Sequence, residues 1–136
     1  MRWMRRNSLF EQHPAVASSL LLGGVVVSHT SLVGADRSNL HPAVRAFIES
    51  LPVEQRRGFD GKCAEVTLIS DQFWRLDAER NDERPVTVAD AIRHFEGAAM
   101  ASRMVRPQGD PDHGKPVHPC AVCSALLEAL GVGFVG

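Results

Sequence analysis

Two short stretches concentrate the residues able to do chemistry: Cys63-Ala64-Glu65 and Pro119-Cys120-Ala121-Val122-Cys123. Together they use all three cysteines of the chain. Two cysteines three apart at a helix start project from one face. Pro119 suits such a start because it has no amide hydrogen to leave orphaned. The helix N-terminus carries partial positive charge, which stabilises thiolates. Cys63 also falls at a predicted helix start, so the same reasoning applies to it. Three thiolates gathered from two helix starts would hold one zinc ion and leave its fourth position for water, the pattern of a catalytic zinc site. Glu65, two residues beyond a ligand, can stand near that water without binding metal. A carboxylate there takes a proton from the water and delivers it to a substrate ring and its leaving amine. Three thiolates donate more charge than a histidine and two thiolates, which makes the water less acidic and Glu65 more necessary.

Other readings are open to the same residues. Cys63 alone would pass for a small core residue, since free cysteine is often fully buried. Cys120 and Cys123 alone would pass for a thioredoxin-like redox pair, but that leaves Cys63 and Glu65 without a role. A closed structural zinc site needs a fourth ligand, which His113 or His118 could supply. The two motifs in this order, each opening a predicted helix, favour the open catalytic site.

The elements that must position these residues follow from periodicity and punctuation. Residues 1–13 read as a mixed, basic arm and 14–136 as one domain. Pro14 to Leu22 suits a short helix, stopped by Gly23-Gly24. Val25-Val26-Val27 and its flanks read as a buried strand that ends in Ser28-His29-Thr30-Ser31. Residues 34–40 form a loop, and His41-Pro42 opens a helix running to about Ser50. Pro52 can start another turn, and Gly58 and Gly61 mark a loop into Cys63. Val66, Ile69, Phe73 and Leu76 recur at helical spacing, giving a helix that fades near Asn81. Thr87 is an N-cap with Asp90 in the capping-box position, for a helix reaching Phe95. Ala98 to Val105 serves as an interior strand, and Arg106 to Val117 as a surface loop. A last helix runs from Pro119 through Leu130, before a short strand between Gly131 and Val135. Helices interspersed with single strands indicate an α/β layered domain.

Composition sets the outer limits. The chain has 136 residues, 44% apolar and 23% charged, as soluble globular domains do. A formal charge of −1 provides no field that would by itself draw nucleic acid or anionic membrane. Three cysteines cannot all pair within the chain, so a reducing compartment or a metal site explains them better than a disulfide scaffold. The apolar run from Leu20 to Val27 is too short to span a bilayer. Arg2, Arg5 and Arg6 precede an apolar stretch and Val33-Gly34-Ala35 resembles a cleavage site. Yet Glu11, Gln12 and His13 interrupt that pattern, which speaks against a secretion signal. The expected location is the cytoplasm, with no membrane partner.

Water activation beside a glutamate, with cysteine ligands, is the division of labour of zinc nucleobase deaminases. The two motifs resemble the cytidine deaminase superfamily and, more narrowly, the YwqJ-like deaminases of bacterial polymorphic toxin systems. The resemblance takes in Ser28-His29-Thr30-Ser31, His41-Pro42-Ala43-Val44 and Gly61-Lys62-Cys63-Ala64-Glu65, and covers roughly Pro14 to Val135. Most superfamily members have histidine at the position of Cys63, whereas cysteine is common there in the narrower family. The resemblance implies a three-layer α-β-α sandwich with a central mixed sheet, one zinc ion per chain, and hydrolytic deamination of a base. Cys63, Cys120 and Cys123 carry over as ligands and Glu65 as the proton shuttle. Ser28, His29, Thr30, Ala64 and His118 are candidate substrate contacts, with His113 and Lys115 weaker ones in the same loop as His118. Trp74 is expected to pack rather than stack on a base.

The expected reaction is cytosine to uracil in single-stranded DNA or RNA, because a paired base cannot enter such a pocket without flipping out. A local basic surface from Arg56, Arg57, Arg103 and Arg106 would serve a polymer. Tyrosine is absent and aromatics make up only 6%, which favours a free nucleoside or nucleotide over a broad stacking platform. A zinc-stabilised binding module without turnover is the rival from another class. If the toxin resemblance holds, delivery to a target cell and an immunity protein as partner follow.

Overall fold

Val16 to Leu22, expected as a helix, is a strand. The computed structural model describes residues 16–31, 39–80 and 83–135, so the expected arm over 1–13, Pro14 and most of the 34–40 loop lie outside the described residues. Strand β1 (Val16–Leu22) pairs antiparallel with β2 (Val25–Thr30), Leu22 opposite Val25 and Ser18 opposite His29. The two glycines between them have φ of 57° and 80°. Positive φ at both central residues is the geometry of a tight hairpin turn whose twist matches its strands. Gly23-Gly24 therefore turns a hairpin where helix termination was expected. The apolar triplet Leu20-Leu21-Leu22 fits either period, and the partner strand decides between them.

The sheet has the order β2-β1-β3-β4. Strand β3 (Ala99–Met104) runs antiparallel to β1, and β4 (Gly133–Val135) runs parallel to β3, so the sheet is mixed. Among the described residues β2 is an edge strand, with Val25 and Val26 about 60% exposed; the expectation of a buried strand fails because, of the described strands, only β1 lies beside it. Side chains alternate across a strand. The register thus places Leu20, Met100 and Phe134 on one face together with Ser18, Ser102, Val27 and His29.

That face carries the core. Among the described residues five helices lie around it: α1 (Pro42–Glu49), α2 (Val53–Arg56), α3 (Ala64–Arg80), α4 (Val88–Ala91) and α5 (Ala121–Leu130). Among the described residues, α3 packs on β1 and β2, α5 touches β4, and α1, α2 and α4 pack against α5. Val66, Ile69 and Phe73 of α3 and Leu126, Leu127 and Leu130 of α5 are buried in one cluster with Leu20 and Met100. This is the α/β architecture with a mixed sheet that the resemblance implies. α4 has the expected capping box of Thr87 and Asp90 but stops at Ala91, short of the expected Phe95. Phe95 is fully buried beyond it. No helix of the described residues is long and apolar enough to cross a membrane.

His41 opens α1 and does more than cap it. Its Nδ1 accepts the Ala43 N–H at 3.0 Å, so Nε2 carries the proton and donates to Asp77 Oδ2 at 2.6 Å. The ring is fully buried and lies edge-on to Trp74, with centroids 4.7 Å apart. Trp74, 38% exposed, rests on one side against that ring, and its Nε1 donates to the Asn39 carbonyl at 2.8 Å. Asp77 Oδ1 also accepts the Val86 N–H at 2.7 Å, which ties α1, α3 and the chain entering α4 to one carboxylate.

Desolvation pushes the Asp77 carboxyl upward, but the Val86 N–H and the His41 ring outweigh it and hold the group below its ordinary value of 3.8. A carboxylate with a lowered folded-state pKa contributes stability above the unfolded value and loses it as pH falls through the folded one. Asp77→Ala is expected to destabilise the fold by roughly 2–4 kcal/mol near pH 7, because two donors lose a charged acceptor. Urea unfolding measures this. The gap to wild type should narrow as pH falls below 3.8, and a gap independent of pH would show that the charge is not what stabilises.

Candidate active site

The starts of α3 and α5 meet, and this meeting builds the site. Gly61, with φ of 78°, turns the chain toward Cys63, while Asp60 Oδ1 accepts the Lys62 N–H at 3.0 Å and tightens the same bend. Cys63 directly precedes α3, and its carbonyl accepts the Thr67 N–H and hydroxyl at 3.2 and 2.9 Å. Cys120 is the N-cap of α5, its Sγ accepting the Cys123 N–H at 3.5 Å. Cys123, one turn into α5, is buried, while Cys63 is half-buried and Cys120 exposed.

The three sulphurs lie within 4.8 Å of one another. A tetrahedral zinc ion with Zn–S bonds of about 2.3 Å needs sulphurs roughly 3.8 Å apart, so the set fits such an ion after small side-chain rotations. Among the described residues, no histidine, aspartate or glutamate joins the cluster. The fourth ligand required by a closed structural site is therefore not His113 or His118 in this arrangement.

The donor set also shows what it lacks without a cation. Hydrogen bonds from the Cys123 and Cys63 thiols, with the α5 N–H groups of Cys123 and Val122 behind them, hold Cys120 down at about 2. Cys63 is pushed up to about 12, first by its hydrogen bond with Cys120 and further by burial and by the charges of Cys120 and Glu65. Cys123 is pushed up by its bonds to Cys120 and Cys63 and by burial. One thiolate is comfortable in this cluster and three are not. A divalent cation is the group that would let all three ionise.

Glu65 enters from the first turn of α3, 4% exposed. A buried carboxylate needs hydrogen-bond partners. Its partner is the Ser102 hydroxyl of β3, which donates to Oε2 at 2.8 Å. Ser102 lies beside Ser18 of β1, hydroxyl to hydroxyl at 2.6 Å, and both serines are 1% exposed. Sequence reasoning missed this pair. A signal existed, since each serine holds an inward strand position next to an inward apolar one, Leu20 or Met100. Reading 14–22 as a helix hid that alternation in β1.

An open pocket lies over the cluster, with Cys63, Cys120 and Glu65 in its wall together with Ala64, His118 and Val117. Asp60, Lys62, Val16 and Ser31 complete it.

A model of the YwqJ-like deaminases matches residues 5–132. The chain belongs to the YwqJ-like deaminase family, within the cytidine deaminase superfamily. No curated protein and no solved structure matches it. Membership makes the pocket over Cys63 and Glu65 the place to look for deaminase chemistry, and the expected substrate contacts can be placed against it.

In this deaminase Ala64 and His118 line the pocket, His118 with its ring 5.9 Å from that of Phe134. Ser28 and Thr30 do not reach it. The register puts both on the sheet face opposite Glu65, and Ser28 bonds instead to Ser19 at 2.9 Å. His29 is on the inner face but outside the pocket wall, its Nδ1–H donating to the Thr30 carbonyl at 2.6 Å. Ser31, two residues on and on the same side, is the member of that motif that lines the pocket, its Oγ accepting the Val16 N–H at 3.2 Å. His113 accepts the Arg106 N–H at 2.9 Å and Lys115 pairs with Asp112 at 3.0 Å, so both brace their own loop. Of the four arginines expected to form a basic surface, Arg57 lines the cleft beside Cys63 and Cys120. Arg103 points from the opposite face of β3.

Metal analysis tests the cluster. After equilibration with zinc and removal of excess, wild type is expected to retain about one ion per chain. Cys63→Ser and Cys120→Ser should each fall well below that, and an unchanged content would remove the residue from the site.

Proposed function

We propose that this protein is a zinc-dependent hydrolytic deaminase that converts cytosine to uracil in single-stranded DNA or RNA. The observation that carries the reading is the meeting of Cys63, Cys120 and Cys123 beside a buried Glu65 at one open pocket, in a chain of the YwqJ-like deaminase family. Cys63, Cys120 and Cys123 would be the zinc ligands. Zinc held there supplies a Lewis acid that makes water nucleophilic near neutral pH. Glu65 takes one proton from the attacking water and gives it to the ring nitrogen, then carries the remaining hydroxyl proton from C4 to the departing amine. The water oxygen bonds to C4, the C4–N bond breaks, and ammonia leaves with uracil as product. Ala64 and His118 in the pocket wall would contact the base.

A second reading, a free nucleoside or nucleotide as substrate, is favoured by one observation. The described wall of the pocket contains no phenylalanine or tryptophan on which successive bases could stack. The resemblance to polymorphic-toxin deaminases supports a role as a toxin-type effector that acts in the cytoplasm of a target cell and is restrained by an immunity protein.

Glu65→Ala is expected to keep its zinc and lose ammonia release by at least about 10²–10⁴-fold, the usual contribution of a general acid–base group. Uracil formation on single-stranded DNA, single-stranded RNA and free cytidine, compared in one assay, separates the two substrate readings. Absence of turnover by wild type and Glu65→Ala alike on all three substrates would leave a zinc-stabilised binding module.

A further inference from the structure

Two hydroxyls in the middle of a sheet face are out of place unless something uses them. Ser18 on β1 and Ser102 on β3 are cross-strand partners, at inward positions whose neighbours Leu20 and Met100 belong to the core. Neither serine touches solvent appreciably. Ser102 has one proton, and it goes to Glu65 Oε2 at 2.8 Å. The 2.6 Å contact between the serines therefore has Ser18 as its donor. The direction is fixed along the row: Ser18 donates to Ser102, and Ser102 donates to Glu65.

This row acts on one oxygen of the carboxylate. A glutamate side chain has three rotors, and a helix start alone leaves its end free to swing. With Oε2 committed to β3, Oε1 is the oxygen left for a group in the pocket. Ser102 is also tied to the second motif, since its carbonyl accepts the Val117 N–H at 3.1 Å, two residues before Pro119. The same strand position thus holds Glu65 from α3 and the chain that delivers Cys120.

We propose that Ser18 and Ser102 form a buried hydroxyl row that positions Glu65, Ser102 by direct hydrogen bond and Ser18 by orienting the Ser102 hydroxyl. Both are positioning residues, since neither lines the pocket. The inference rests on Glu65 being the proton shuttle of the reading above. A misplaced acid–base group can lower the rate by about 10²-fold without any loss of substrate affinity. The row should therefore appear in kcat and not in KM.

The experiment measures kcat, KM and zinc content for Ser102→Ala, Ser102→Thr, Ser18→Ala and the double alanine variant, with Glu65→Ala alongside. Ser102→Ala is expected to lose kcat by about 10- to 100-fold with KM within about twofold and zinc unchanged. Ser102→Thr, which restores a hydroxyl on a side chain suited to a strand, should recover most of that loss. Ser18→Ala should lose less than Ser102→Ala. The double variant should be no worse than Ser102→Ala, because Ser18 acts only through Ser102. A Ser102→Ala protein with wild-type kcat overturns the proposal. So do losses that multiply in the double variant, or a threonine that rescues nothing while zinc stays bound. If Ser102→Ala does not fold, Ser18→Ala and Ser102→Thr still decide: wild-type kcat in the first, or a zinc-loaded but inactive second, overturns the row. Should Glu65→Ala be as active as wild type, the deaminase assignment of Glu65 itself falls. Loss in Glu65→Ala with none in Ser102→Ala sinks the serine row alone.

Discussion

Three thiols crowded within 4.8 Å resist losing more than one proton among them, and the rest of the fold has to hold them together against that resistance. Each sulphur that ionises raises the cost for the next, which is why Cys120 is held low while Cys63 and Cys123 are pushed up. The fold holds the sulphurs together nonetheless, by bringing the starts of two helices to one point. α3 is anchored by Val66, Ile69 and Phe73, and α5 by Leu126, Leu127 and Leu130, in one core with Leu20 and Met100. Apolar burial far from the cluster therefore holds polar groups in a position they would not choose alone. A cation that shares the charge converts this frustration into affinity, since metal binding and deprotonation of the ligands are linked.

Glu65 is the second charge placed against its own preference. It is buried beside the sulphurs, and its charge raises Cys63 further. The Ser102 hydroxyl supplies one hydrogen bond from the sheet, and the remaining surface of the carboxylate faces the pocket. The site thus has three structural sources: two helix starts for the sulphurs and one strand pair for the carboxylate. His41 and Asp77 work by a similar principle away from the pocket, where a buried ring and a shared carboxylate join α1, α3 and the entry to α4.

Much of this was legible in the residues themselves, and the exceptions share a cause. The α3 helix from Cys63, the capping box at Thr87, the strand over 99–104 and the final helix and strand all carry local signals, either periodicity or caps, and all formed. The segment 16–22 did not carry one. Its leucine triplet suits helix and strand alike, and only pairing with Val25–Thr30 and Ala99–Met104 makes it a strand. β2 was recognised as a strand but not as an edge, because edge position depends on which strand lies beside it. Phe95 is buried without being helical, since a core contact holds it where propensity does not.

At the site the division is similar. The sequence by itself determined the chemical inventory: three cysteines and a glutamate at spacings tied to helix starts, because caps and helical periods are local properties of a few neighbouring residues. It also carried the family, through motifs that run along the chain. Tertiary structure alone decided that Cys63 meets Cys120 and Cys123, with 56 residues between Cys63 and Cys120 in sequence. It alone decided that Ser31 and not Ser28 or Thr30 reaches the pocket, because strand register sends alternate residues to opposite faces. And it alone revealed Ser18 and Ser102 behind Glu65, since a hydrogen bond between two strands and a helix exists only once all three are packed.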